Sequence, residues 1–377
     1  MNAPTHPAAA DAAPYAAPSP QVARVTVVVT QRERFGMTDE SLEDLFAKTP
    51  GVRLVYVDGN SPPRWRDYLA RQAEARGFDL VRTEHFLTPN QARNIGIARA
   101  STEFVAFCDN DVLYTEGWLD RLVDCADETG ADVVAPLTCQ GLPAHVEIHH
   151  AGGDYAPGGD MEGFFAGDPE TGRAFEEVMH GHAEKVDDWE GRLARVETGM
   201  CEFHCALARR AVFDRVGPLD EGMLSTKEHI DFCMTVRQAG GSVWFEPASV
   251  VTYVFPCRAR PMNREDWPFF SLRWSNAYGA RSLNHFIQKW RLNTPPGYVD
   301  SKKMIYIMRR WQGILIPIMR DVPLLRRNDA LAKRAARAAM FPERLVNEVL
   351  VARQDRRMRR LQGMQGAAAP RASVTSH

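Results

Sequence analysis

No run of 18 consecutive apolar residues occurs in this chain, so no segment has the length of a membrane-spanning helix. The nearest approach, Gly313 to Met319, is short and contains Pro317. The first residues are not expected to act as a secretory signal either. Residues 1–21 are rich in Ala and Pro, without a basic start or an apolar core, and are expected to be a disordered leader. Cysteine is scarce and odd in number: Cys108, Cys125, Cys139, Cys201, Cys205, Cys233 and Cys257, with no C-x-x-C pair. That argues against a disulfide framework and a zinc ribbon, so Cys201 and Cys205 are expected to be small buried residues in a reducing compartment. Net charge is also nearly lacking, at −2.

What charge there is lies unevenly. Residues 301–360 carry a net +11 and the remainder a net −13. A basic segment on an acidic body points to an anionic contact, or to solvated helix faces. Hydrophobic residues are 45% and charged residues 25% of the 377, ordinary values for a chain that can bury a core and form two compact units. No internal repeat is present.

Short β-branched runs alternate with helical segments. Strands are expected at Val25–Thr30, Val52–Val57, Phe78–Thr83, Phe104–Cys108 and Ala131–Pro136, and helices at Ser41–Lys48, Trp65–Arg76, Gln91–Ala100 and Trp118–Thr129. This rhythm predicts an α/β fold with a mostly parallel, Rossmann-like sheet and helices on both faces. Ligands of such sheets bind beyond the carboxyl ends of the strands. The polar residues Thr30-Gln31-Arg32, Asp58 and Asp109-Asn110-Asp111 should therefore share one rim. Two carboxylates flanking one residue at a strand end suit Mn2+ or Mg2+, which take oxygen ligands and keep positions open for phosphate. Such an ion would neutralise a leaving diphosphate.

Gly141 to Arg192 is irregular and holds His149, His150, His180 and His182. A lid or acceptor platform is expected there; the four histidines match no helical or ribbon metal spacing. Order returns with a strand and helix over Phe203–Val216, a helix over Lys227–Ala239 and a strand over Ser242–Phe245. Helices broken by Pro317, Pro323 and Pro342 are expected from Ser301, with a frayed end over residues 363–377.

Several stretches resemble family 2 glycosyltransferases of the GT-A fold. The residues are Val52 to Ser61, the segment Ala92-Arg93-Asn94-Ile-Gly96, the strand ending at Asp109-Asn-Asp111, Arg209-Arg210-Ala-Val-Phe213 with Leu219-Asp220-Glu221, and Glu228-His229-Ile-Asp231 with Arg237 and Gly240. The resemblance spans roughly Val25 to Pro256. It implies a GT-A domain over 22–260, with a nucleotide-binding half near 22–136 and an acceptor half near 137–260. It also implies inverting transfer from a nucleotide-diphosphate sugar, UDP-linked, to a glycan or lipid-linked acceptor in surface polysaccharide synthesis. Thr30, Gln31, Arg32 and Asp58 would contact the nucleotide, Arg93 and Asn94 the base or diphosphate, and Asp109 and Asn110 the nucleotide sugar. Asp109 and Asp111 would hold the metal.

The helix at Glu228 would supply the base. Where the family has the second acid of an E-D pair this chain has His229, so Glu228, His229 and Asp231 all stand as candidates. Many members also place a metal-binding His just past the final strand, and Ala248 to Phe255 has none. A GT-A module that binds nucleotide sugar without turnover, as a sensor or assembly subunit, is the alternative.

Residues 261–362 are expected to form a basic, mainly helical extension. Its stretch Arg264 to Trp290 would either stack on sugar and diphosphate or pack on the catalytic domain. Residues 301–360 would provide a peripheral contact with the inner face of the membrane or a homodimer interface. Nucleic acid is not an expected partner, because the arginines lack interleaved aromatics after Trp311.

Overall fold

The computed structural model describes residues 17–166, 172–255 and 262–368, so Cys257 and the ends of the expected leader and tail lie outside the described residues. The β-branched run becomes strand β1 (Val25–Thr30), buried at every position as a strand covered on both faces must be. The chain then alternates as expected: α1 (Thr38–Lys48), β2 (Arg53–Gly59), α2 (Pro63–Arg76), β3 (Asp79–Thr83), α3 (Pro89–Arg99), β4 (Phe104–Asp109), β5 (Val112–Tyr114), α4 (Trp118–Thr129), β6 (Val133–Gln140) and β7 (Glu147–His150). β1 lies between β2 and β4, parallel to both, and β3 continues the parallel run. In this register Thr30 sits between Val57 and Asp109, which brings the ends of the three strands to one edge.

Helix α3 carries the A-R-N-x-G segment, and its glycine has a packing cause. A Cβ on Gly96 would stand 2.2 Å from Cγ1 of Val28. The helix thus lies directly on β1, and that contact sets the depth of Arg93 below the rim.

Two departures from the expected sheet concern its second half. The sheet is mixed: the strand Cys205–Arg209 runs antiparallel between β4 and β6. The chain reaches it through the long excursion after β6 and so re-enters the sheet in the opposite sense. The last strand is also longer than expected, Val243–Tyr253, parallel to β6 over most of its length. A register shift between Glu246 and Val250 accommodates Pro247, which lacks a ladder donor and reads in sequence as a stop. Apolar clusters fill both faces of the sheet.

Order also extends past the expected boundaries. Ser19 bonds Asp120, and Gln21 Nε2 donates to Asp124 at 3.0 Å. The last helix, Met340–Ala368, continues beyond residue 362. Pro317 does not break its helix. It lies within a continuous helical run, directly after a π-turn at Trp311–Leu315 that accommodates the missing N–H.

The extension packs on the sheet domain. Phe269 lies 5.3 Å from the Phe35 ring and 5.5 Å from Phe86. Asp266 Oδ1 accepts the Phe35 N–H at 2.8 Å, and Gln354 Nε2 donates to the Phe86 carbonyl at 2.7 Å. Of the basic residues in 301–360, Arg310 is buried and bonds Glu343 at 2.6 Å. No helix among the described residues is long and apolar enough to cross a membrane.

Candidate active site

The rim residues fall into two groups, those that shape the edge and those that face one another across it. Asp58 belongs to the first. Its carboxylate accepts the Ser61 N–H and Oγ–H, both at 2.8 Å, and pairs with Arg82. Gln31 Oε1 takes the Gly59 N–H at 2.8 Å. Asn110 accepts the Arg32 N–H at 3.1 Å and donates to the Arg34 carbonyl at 2.8 Å, so it fixes the turn after β1. Asn94 is engaged away from the rim: its amide bonds both the carbonyl and the N–H of Leu219, each at 2.9 Å, and braces the turn leading to Glu221.

The second group centres on Asp109 and Asp111. Asp109 Oδ1 is 3.4 Å from Arg93, and its Oδ2 is 2.9 Å from His204 Nδ1 and 3.7 Å from Arg32. Asp111 is wholly buried, and neither carboxylate oxygen has a hydrogen-bond partner among the described residues. Burial pushes its pKa well above the usual carboxylate range, and the charges of Asp109 and Glu33 push the same way. Glu33, equally buried, likewise accepts no hydrogen bond at either oxygen among the described residues and has Arg309 at 4.0 Å. The Tyr253 hydroxyl is a third unpartnered buried group, and its titration feels Glu33 and Asp111. Buried carboxylates without donors are costly unless something cationic meets them. The residues therefore fit a hard divalent ion at Asp111, with oxygen ligands at hand.

The three base candidates differ in their surroundings. Glu228 pairs with Arg273 at 2.9 Å and Arg32 at 3.5 Å. Burial raises its pKa, but Arg273, Arg32 and Arg93 outweigh this and hold it at about 2. Asp231 accepts the Trp290 Nε1–H and the Lys289 ammonium, both at 2.8 Å, and so ties the helix Asn276–Trp290 to its own. His229 Nε2 lies 3.4 Å from Glu202 Oε1 and makes no hydrogen bond.

Several of these neighbours escaped the sequence reading. Glu33 directly follows the rim triplet, and the polar run Gln31 to Arg34 was its only signal. Glu202 and His204 precede a strand without any motif. Arg309 reaches the cleft from a helix 276 residues beyond Glu33, so no local pattern links them. Burial drives the pKa of both His204 and His149 well below the ordinary value, leaving neutral imidazoles.

Residues 26–164 match the model of Glycosyl transferase family 2. Over that span the chain is similar to the family 2 glycosyltransferases, and Asp109-Asn-Asp111 closes the fourth strand of its α/β sheet. The chain is 25% identical over 231 residues to a pre-mycofactocin glycosyltransferase of Mycobacterium tuberculosis, a match covering 61% of this chain and 42% of that protein. It thus spans less than half the length of that relative. Among solved structures, GalNAc-T7 with UDP, GalNAc and Mn2+ overlays with a TM-score of 0.46 at 14% identity, covering 73% of this chain and 56% of that one. A mannosyltransferase from Pyrobaculum calidifontis in complex with GDP-Man and Mn2+ gives 0.43 at 17% identity, with coverage of 90% and 86%.

Proposed function

We propose that this protein moves a sugar from a nucleotide-diphosphate donor, UDP-linked, to an acceptor hydroxyl with inversion at the anomeric carbon. The observation that carries this reading is the pair of buried carboxylates, Asp111 and Glu33, which accept no hydrogen bond among the described residues, near the guanidiniums of Arg32, Arg93 and Arg273 at the carboxyl edge of parallel strands. That is a charge pattern for a metal-bound diphosphate. Mn2+ or Mg2+ held by Asp111, with Asp109 and Glu33 nearby, would supply neutralisation of the diphosphate as it leaves.

The chain's own residues do the rest. Arg93 and Arg32, braced by Asp109, present N–H donors to phosphate oxygens. Thr30, Gln31 and Asp58 shape the nucleotide end of the cleft. His229 takes the proton of the acceptor hydroxyl as that oxygen attacks the anomeric carbon and the bond to diphosphate breaks. Glu202, 3.4 Å from its ring, then faces the imidazolium that forms. Glu228 is a poor base, since a carboxylate held at about 2 has little affinity for the proton it would have to take. Its role is to hold Arg273 and Arg32 in place. The acceptor is a glycan or lipid-linked saccharide of surface polysaccharide synthesis, used at the cytoplasmic side.

A thermal-shift panel of UDP-, GDP- and dTDP-sugars with Mn2+ tests this. A cognate donor at about 100 times its Kd stabilises by ~2.7 kcal/mol. No shift with any donor defeats the reading. A shift without transfer or donor hydrolysis identifies a sensor or assembly subunit instead.

A further inference from the structure

We propose that His149, Glu202 and His204 form a second metal site, for an imidazole-binding ion such as Zn2+, distinct from the oxygen-lined place at Asp111. Each of the three offers one ligand atom, and these atoms all lie within 4.8 Å of one another. Four-coordinate zinc holds its ligand atoms ~3.3 Å apart, so each side chain has less than about 1 Å to move.

The two rings are already oriented for it. His204 Nδ1 donates to Asp109 Oδ2 at 2.9 Å, which leaves the lone pair on Nε2. Its plane is fixed by stacking on Tyr253 at 3.8 Å and 18°. His149 Nδ1 faces Gln140 Oε1 at 3.1 Å. The Gln140 amide cannot turn over freely, because its Nε2 donates to Glu147 Oε1 at 2.6 Å. His149 Nδ1 is therefore the donor, and its Nε2, 4.0 Å from Glu202 Oε1, carries the free pair. Imidazoles that ligate metals are commonly held this way, with the other nitrogen on a carboxylate or carbonyl oxygen. Two nitrogens and one carboxylate favour Zn2+ over Mg2+, whereas the candidate ligands around Asp111 are carboxylates. Water takes the fourth position, which leaves the His229 ring, 3.4 Å from Glu202, free of the ion.

An ion here joins β7, which carries His149, to the segment entering the strand Cys205–Arg209, and through His204 to the end of β4. The irregular region after β6 is thereby pinned to the sheet. Nothing in this requires sugar transfer, so the site is tested by binding alone.

The experiment uses the full chain, freed of metal with a chelator and titrated with Zn2+ against a chromophoric competitor, then with Co2+ while visible absorption is followed. One equivalent should bind, with the intense d–d bands of four-coordinate Co2+. His149→Ala, a partly exposed ligand whose loss the fold tolerates, and Glu202→Gln should each weaken binding at least tenfold. Gln140→Ala, which touches no ligand atom of the ion, should weaken it by about tenfold, the usual effect of losing such a partner. Asp111→Asn should leave it unchanged. Substoichiometric binding, or an affinity indifferent to His149→Ala and Glu202→Gln, overturns the proposal. So does equal weakening by Asp111→Asn, which would assign the ion to the other place.

Discussion

Replacing Asp111 by Asn should make the metal-free protein more stable while removing metal-dependent donor binding. Asp111 is fully buried and neither oxygen is hydrogen-bonded, so folding leaves a carboxylate where water no longer reaches it. An unsatisfied buried polar group costs roughly 1–3 kcal/mol, more when charged, and the amide removes the charge along with its repulsion from Asp109 and Glu33. A gain of about 1 kcal/mol or more should follow, worth ~2–4 °C in Tm for a domain of this size.

The pH dependence has a definite sign. The folded-state pKa of Asp111 is raised above the ordinary 3.8, so its contribution is fully favourable below that value and is lost as pH rises through the folded pKa. The advantage of Asp111→Asn should be greatest at neutral pH and close as pH falls toward 3.8. Calorimetry or thermal melts of wild type and variant, with and without Mn2+ and donor, measure both effects. A variant less stable than wild type in the absence of metal, or one that keeps Mn2+-dependent donor stabilisation, would refute the reasoning.

Three further outcomes are expected. His229→Asn should lower kcat by roughly 10²–10⁴ with donor affinity little changed, whereas Glu228→Gln should cost about 3 kcal/mol or more of stability, because Arg273 is left buried beside a neutral group; kinetics at matched donor occupancy and urea melts separate the two, and a Glu228→Gln enzyme of normal stability and greatly reduced kcat would reverse the assignment. Gly96→Ala should destabilise by about 1–3 kcal/mol through overlap with Val28, and Val28→Ala in the same chain should recover part of the loss; an unchanged denaturation midpoint would count against the packing account. Phe341, Leu345, Val346 and Val349 are exposed on the last helix, which is rich in Arg, so the protein should co-float with anionic vesicles at low salt and be released at high salt; a protein left in solution at low salt ends the membrane reading.

The first half of the fold was readable because its signals are local. Strands such as Val25–Thr30 and Phe104–Asp109 are short β-branched or aromatic runs that end in polar residues, and parallel pairing places those ends together. The D-x-D and A-R-N-x-G segments were readable for the same reason. The second half depends on contacts that no window contains. Pro247 hides the continuation of a strand that bends around it. Asp231 looks like a base candidate in sequence, yet its carboxylate is occupied by Lys289 and Trp290 from a helix dozens of residues later. His204 carries no motif at all, and only the antiparallel entry of its strand beside β4 brings it to Asp109.

The pairing of Glu228 with Arg273, of Asp231 with Lys289 and of Glu33 with Arg309 bears on the order in which the molecule is made. The acids are translated first and their counter-ions last. At about 5–20 residues per second, the ribosome finishes the sheet several seconds before it delivers Arg309. During that interval Glu33 and Asp231 lack these cations, and Glu228 has Arg32 without Arg273. The nascent sheet domain is therefore held short of its finished charge pattern until the extension docks. A chimera that keeps the sheet domain and replaces the extension inherits the same deficit, so any exchange of acceptor preference between relatives must carry these three cations along.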